Sequence, residues 1–351
     1  MTVKAHRVLG LDFLPGQVRA VAVSGTAKKF SVTAMQSIIL PTPEDDPTHF
    51  EPQEVAISLR DFLQSAGLKH YMAAVAFQER KSILRLLTMP VMPEDELANT
   101  IRFEFDQVME ESIEEFTIDY TILGEIVGEE GQSKYSILVA IVPKNSLYPY
   151  IEAVEAARLP LVRIDLPVVA NISALHLTDE RLLSRNAVVV HLERAGGDVV
   201  LFDRGELAFV RRITAGLSEL KYSFAGLLES QEKIESIGGY RQDDYRLPEE
   251  HAKLAKPLVE MVLSEVERTL SFYKSQKQML DYDYDELVLC GTGVWPRNLA
   301  VFIGKESEQK VTMADPLSKV GSAFTFTPEA EESMTMPQFS TALGLALESL
   351  V

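Results

Sequence analysis

The sequence is poor in the residues that build the commonest sites. Cys290 is the only cysteine among 351 residues, which excludes a disulfide framework and a cysteine-rich metal site, and fits a reducing compartment. Six histidines, at positions 6, 49, 70, 176, 191 and 251, are scattered without metal-ligand spacing, so no metal cluster is expected. No run of 18 apolar residues occurs, and direct membrane insertion is excluded on that ground. The opening MTVKAHRVLGLD lacks an apolar stretch ending at a small-residue cleavage site, so no signal peptide is expected and the cytosol is the expected home. Positive charge is short as well: 34 basic against 52 acidic residues leave a net charge of −18. Lys28-Lys29 and Arg211-Arg212 are pairs, not stripes, so nucleic acid is excluded and a basic protein segment is the expected partner.

What is present reads as alternating strands and helices. Val8 to Leu40 holds three strands punctuated by Gly16 and Gly25, and the proline-rich acidic stretch PTPEDDPTHFEP is a surface loop. Gln53 to Gly67 places Val55, Leu59, Phe62 and Leu63 on one helical face. Met72 to Phe77 and Ile83 to Met89 are short strands. Glu94 to Met109 is helical, with Leu97, Ile101, Phe105 and Val108 at three- and four-residue steps. Strands Thr117 to Gly124 and Tyr135 to Val142 and a helix over Asn145 to Ala157 complete a compact α+β insert from Pro93 to Pro160.

The opening pattern then recurs. After a strand at Arg163 to Asp165 and a helix from Pro167 to His176, strands at Ala187 to Leu192, Val199 to Phe202 and Leu207 to Ile213 form a second meander. Helices follow at Gly216 to Leu228 and Leu254 to Tyr273. Glu286 to Cys290 is a buried strand ending in Gly291-Thr292-Gly293; Pro296 to Ile303 is a short helix, Val311 to Ala314 a strand, and Gln338 to Leu350 the closing helix. Two similar α/β halves facing each other make a cleft, where ligands commonly bind.

Several of these segments resemble the PilM family of type IV pilus machinery in order along nearly the whole chain. Gly10-Leu11-Asp12 with Val18-Arg19-Ala20-Val21 is similar to the first phosphate hairpin of actin-like proteins. Pro90-Val91-Met92-Pro93, Glu96-Leu97, Phe103-Glu104 and Asp119-Tyr120 resemble the PilM insert. Arg163-Ile164-Asp165 with Ala170 resembles the elements closing the first half. Leu270, Phe272-Tyr273, Ser275 and Gln276 resemble the long helix before the adenosine motif, Leu289 to Gly293 that motif, and Ala342 to Ala346 the C-terminal helix. The division protein FtsA is a cousin, but it carries an amphipathic membrane helix beyond its core; the last helix here reads as core, so PilM is the nearer likeness.

The resemblance implies an α/β, two-lobed actin-like fold. Residues 1–92 with 161–184 and 335–351 form the first lobe, 93–160 the insert and 185–334 the second lobe. It also implies a nucleotide cleft at Asp12, Gly16, Arg19, Gly196, Gly197, Gly291, Thr292 and Gly293, with ATP and magnesium as its ligands. Those positions are eroded. Leu14 stands where glycine is usual and Pro15 has no N–H to offer a phosphate, while Arg19 replaces a lysine. In the second turn His191 replaces the second magnesium-site aspartate, and Glu193 sits where a glycine should approach phosphate, followed by Arg194 and Ala195. A carboxylate about 4 Å from a phosphate charge costs roughly 4 kcal/mol at an effective dielectric near 20. No hydrolysis and no cofactor are expected.

PilM proteins carry an extended N-terminal peptide of the single-span membrane protein PilN between the first half and the insert, and the resemblance implies that role here. Phe103, Phe105 and Met109 are the expected apolar contacts. Glu111 and Glu114, within the run Glu110 to Glu115, would attract the basic flank of a membrane helix. Self-association, an ATPase coupled to pilus dynamics and a type II secretion scaffold are the other readings. Cys290 is expected to be a core residue and Trp295 a packing anchor.

Overall fold

Strand β1 (Arg7–Leu14) is apolar on both faces, and every residue from Val8 to Leu14 is buried, as a central strand covered on two sides must be. In the computed structural model it pairs antiparallel with β2 (Gln17–Thr26) and parallel with β4 (Met72–Phe77). The structure describes residues 5–26, 28–43, 49–128, 131–178, 184–193, 196–213, 249–277, 282–291, 299–314 and 339–350. With β3 (Lys29–Ile39) and β8 (Leu161–Asp165) the first sheet has the order β3-β2-β1-β4-β8. The second sheet, from β9 (Ala187–Glu193), β10 (Gly196–Asp203), β11 (Glu206–Ile213), β12 (Glu286–Cys290) and β13 (Val311–Met313), has the order β11-β10-β9-β12-β13, and helices α5 (Glu249–Lys277) and α6 (Leu299–Ser307) share its core. The two orders are the same, so the repeated meander of the sequence is two separate lobes, as expected. The helix expected over Gly216 to Leu228 lies outside the described residues, as does the start of the one expected at Pro296.

Helix α1 (Pro52–Ser65) covers one face of the first sheet through Val55, Leu59 and Phe62. Two more helices pack together against the other face. Helix α4 (Pro167–Thr178) opens on proline, and α7 (Ser340–Glu348) is buried all round from Ser340 to Leu347, the signature of an interior helix. Glycine makes this contact possible. A β-carbon at Gly10 would lie 1.8 Å from the Ala342 carbonyl oxygen, and one at Gly344 would lie 1.9 Å from that of Ala170. The Asn171 amide then donates to the Thr341 hydroxyl at 2.6 Å, tying α4 to α7 inside the core.

The insert departs from its expected limits at both ends. Its sheet is β5-β7-β6, so β5 (Ile83–Pro90) belongs with β6 (Phe116–Val127) and β7 (Ser133–Pro143), although it precedes Pro93. Helix α2 (Glu94–Asp106) covers that sheet with Leu97, Ile101 and Phe105, each worth on the order of 2 kcal/mol of apolar burial. Its first turn carries Glu94, Asp95 and Glu96, which complement the positive end of the helix dipole. Helix α3 (Lys144–Ala156) instead joins the first lobe's core through Ala153 and Val154. Periodicity marks an apolar face without naming the sheet that it covers.

The insert also touches the second lobe. Leu84, Leu138, Ala140 and Val142 share an apolar cluster with Val189, Val200 and Val210, and the Arg212 guanidinium donates to the buried Ser82 hydroxyl just ahead of β5.

Candidate functional site

Two hairpins, one from each lobe, face the cleft. In the first, β1 and β2 join through Pro15-Gly16; Gly16 takes φ +75° and its carbonyl accepts from the Leu40 N–H at 2.9 Å. In the second, β9 and β10 are joined by residues 194 and 195, which lie outside the described residues. The registers are equivalent. Leu14 pairs with Gln17 as Glu193 pairs with Gly196, and two residues further in Asp12 pairs with Arg19 as His191 pairs with Asp198.

These inner pairs are buried: Asp12 at 0% exposure, Arg19 at 7%, His191 at 2% and Asp198 at 5%. The His191 Nε2 lies 3.0 Å from Glu193 Oε1, and Nδ1 lies 3.7 Å from Asp198 Oδ2. At 3.7 Å the Asp198 contact is too long for a hydrogen bond and acts through charge. Burial alone would depress the His191 imidazole, but Asp198 and Glu193 raise it to about 9. Burial and Glu193 push the Asp12 carboxyl up to about 7, against the opposing pull of Arg19 and His191. Burial lowers the Arg19 guanidinium, which Asp12 and Glu193 partly restore.

Glycines bring the second hairpin close. A β-carbon on Gly197 would fall 2.1 Å from the His191 carbonyl oxygen, and Gly291, at φ +91°, would place one 2.3 Å from that of Leu192. Thr292 and Gly293 of the expected adenosine motif lie outside the described residues. Next to His191 in register is Cys290, whose thiol burial pushes well above its usual value, with Glu193 and Asp198 adding to the effect. It is a packed core group, not a nucleophile.

Beside the second hairpin lies a cavity of about 30 Å³ lined by residues that include Glu79, Pro167, His191, Glu193, Gly197 and Arg212. That volume suits water. The order of the hairpins was legible, and His191 and Glu193 stood out as departures. Asp198 and Arg212 were not foreseen as site residues. Asp198 could have been found by matching the second hairpin to the first, position by position; Arg212 reaches the cleft only through the fold.

The expected partner site is divided. Phe103 is 62% exposed, whereas Phe105, two residues on, is buried in the insert core under the Arg85 guanidinium. Residues two apart on a helix face opposite ways, so Phe105 is a structural residue and no contact for a peptide. Met109 is partly buried against the same core. Glu111 and Glu114 are exposed but engaged, Glu111 with Lys81 at 2.6 Å and Glu114 with Arg102. The acidic run is therefore partly neutralised within the chain.

Among the described residues, no helix is long and apolar enough to cross a membrane. The family model described as type IV pilus assembly protein PilM matches residues 10–350. A solved structure titled "PilM-PilN type IV pilus biogenesis complex" is similar, with a TM-score of 0.76 and 21% identity, covering 99% of each chain. The ethanolamine utilization protein EutJ from Carboxydothermus hydrogenoformans is similar with a TM-score of 0.49 and 13% identity, covering 99% of this chain and 91% of its own.

Proposed function

Because this chain belongs to the type IV pilus assembly protein PilM family, we propose that it is a non-catalytic, actin-like scaffold that carries the N-terminal peptide of a PilN-like membrane protein. The observation that carries this reading is the likeness to the PilM-PilN complex structure over 99% of both chains, insert included. The insert offers what an extended peptide needs. Its β6 pairs with β7 on one side and, among the described residues, with no strand on the other, leaving backbone groups for strand addition. Phe103, Val108, Ile122 and Leu123 are exposed apolar side chains on α2, just beyond it and on β6, and can supply anchors. A partner that spans the membrane would keep the scaffold at the inner-membrane surface without a span of its own.

The role needs no bond-making chemistry. Positioning is the whole task, and the two-lobed frame supplies it. Synthetic peptides covering the first residues of a PilN-like protein from the same organism, titrated against the full chain, test the reading. Saturable binding that a scrambled peptide does not reproduce is the expected result. Equal binding of native and scrambled peptides overturns it.

A further inference from the structure

The two hairpins carry their charges in opposite order. In the first lobe the acid is on the leading strand and the base on the returning one, Asp12 against Arg19; in the second the base leads and the acid returns, His191 against Asp198. The lobes repeat each other, so this reversal sets a base, His191, where an identical hairpin would repeat the acid Asp12. Asp12 is close enough to His191 and Glu193 to interact electrostatically with both.

An actin-like cleft would be expected to take a magnesium nucleotide, and the described residues of the two phosphate turns do not fit one. The first turn offers the side chain of Leu14 and the N–H-less Pro15 where a phosphate needs backbone donors. The second turn buries Glu193 at 4% exposure. Among the described residues, no group of three or more His, Cys, Asp or Glu side chains could hold a metal ion.

We infer that His191 is a built-in cation: seated between Glu193 and Asp198 and interacting with Asp12 of the other lobe, its ring fills the electrostatic place of a bound magnesium ion and keeps the lobes closed without a ligand. Three carboxyl groups (Asp12, Glu193 and Asp198) then meet two cationic side chains (Arg19 and His191) in one buried cluster. Buried charge of one sign is costly unless it is paired. An acid at position 191 would leave four carboxyls facing Arg19 alone, a cluster that needs an added cation to close. With histidine the closure is internal, and the scaffold holds one lobe arrangement whatever the nucleotide supply. This inference stands apart from the peptide site, since it concerns the lobes and not the partner.

A double-mutant cycle tests it. Urea midpoints of the full chain are measured at pH 8 for the wild type, D12N, H191Q and the double variant. The expected result is that H191Q lowers the midpoint, and lowers it less in the D12N background, because the two side chains share one interaction. The same loss in both backgrounds would mean that His191 does not act through Asp12 across the cleft, and would overturn the inference. As a second readout, millimolar magnesium ATP is expected to leave the wild-type midpoint unchanged. A midpoint that rises with nucleotide concentration would show a competent ligand site and overturn it as well, since a ligand that binds the folded state must raise its stability.

Discussion

Gly344 of α7 lies against the backbone of Ala170 in α4, so close that a β-carbon would sit 1.9 Å from the Ala170 carbonyl oxygen. No side-chain rotation relieves a clash with backbone. Gly344→Ala is therefore expected to cost about 1–3 kcal/mol as the helices separate, read as a lower urea midpoint. Gly124→Ala in β6, where the added carbon meets nothing within 4 Å, is the control and should stay within about 0.5 kcal/mol of the parent.

Stability should fall with rising pH in two stages. The Asp12 carboxyl moves from its ordinary 3.8 to about 7 in the folded chain. Its stabilising contribution is complete below pH 3.8 and is lost as pH climbs through 7, because the unfolded chain gives up that proton first. The His191 imidazole moves from 6.5 to about 9, so its contribution is complete below 6.5 and is lost on passing 9. Urea midpoints from pH 4 to 9.5 should therefore decline more gently between 4 and 7 in D12N, and more gently between 6.5 and 9 in H191Q. Curves parallel to the wild type's would contradict both assignments.

Phe103 and Phe105 should separate binding from folding. Phe105→Ala empties a core position and is expected to cost about 3–5 kcal/mol, with loss of helical circular dichroism from the insert. Phe103→Asp changes an exposed position, so the midpoint should hold while peptide affinity falls severalfold. Unchanged affinity would remove the outer face of α2 from the binding surface.

Salt should slow peptide association more than it speeds release, since the Debye length shrinks from about 10 Å at 0.1 M to 3 Å at 1 M. Reversing Glu111 and Glu114 to lysine together should lower the on-rate and flatten its salt dependence. The midpoint should barely move, because the partners Lys81 and Arg102 are solvent-exposed pairs. Salt-independent binding would reduce the acidic run to a solvated turn.

The lobes were legible in the sequence because strand alternation, turn glycines and the second meander are local signals. The limits of the insert were not, since α3 has a weak apolar face and nothing in its spacing tells which sheet it covers. Phe105 could have been recognised as core, because it falls in step with Leu97 and Ile101 while Phe103 does not. His191 and Glu193 were visible as departures from a phosphate turn. Their interaction with Asp12 was hidden, because it depends on a rotation that relates two distant hairpins, which no window along the chain contains.

The apolar seam between β5 and the second lobe makes the insert a lever. Cores packed at interior density hold or part but do not stretch, and Leu84 shares its cluster with Val189, Val200 and Val210 while Arg212 grips Ser82. A twist of the second lobe must therefore carry β5 along, and β5 is hydrogen-bonded through β7 to β6. A displacement of the outer strand β6 would by the same route be carried back through β7 and β5 to the second lobe.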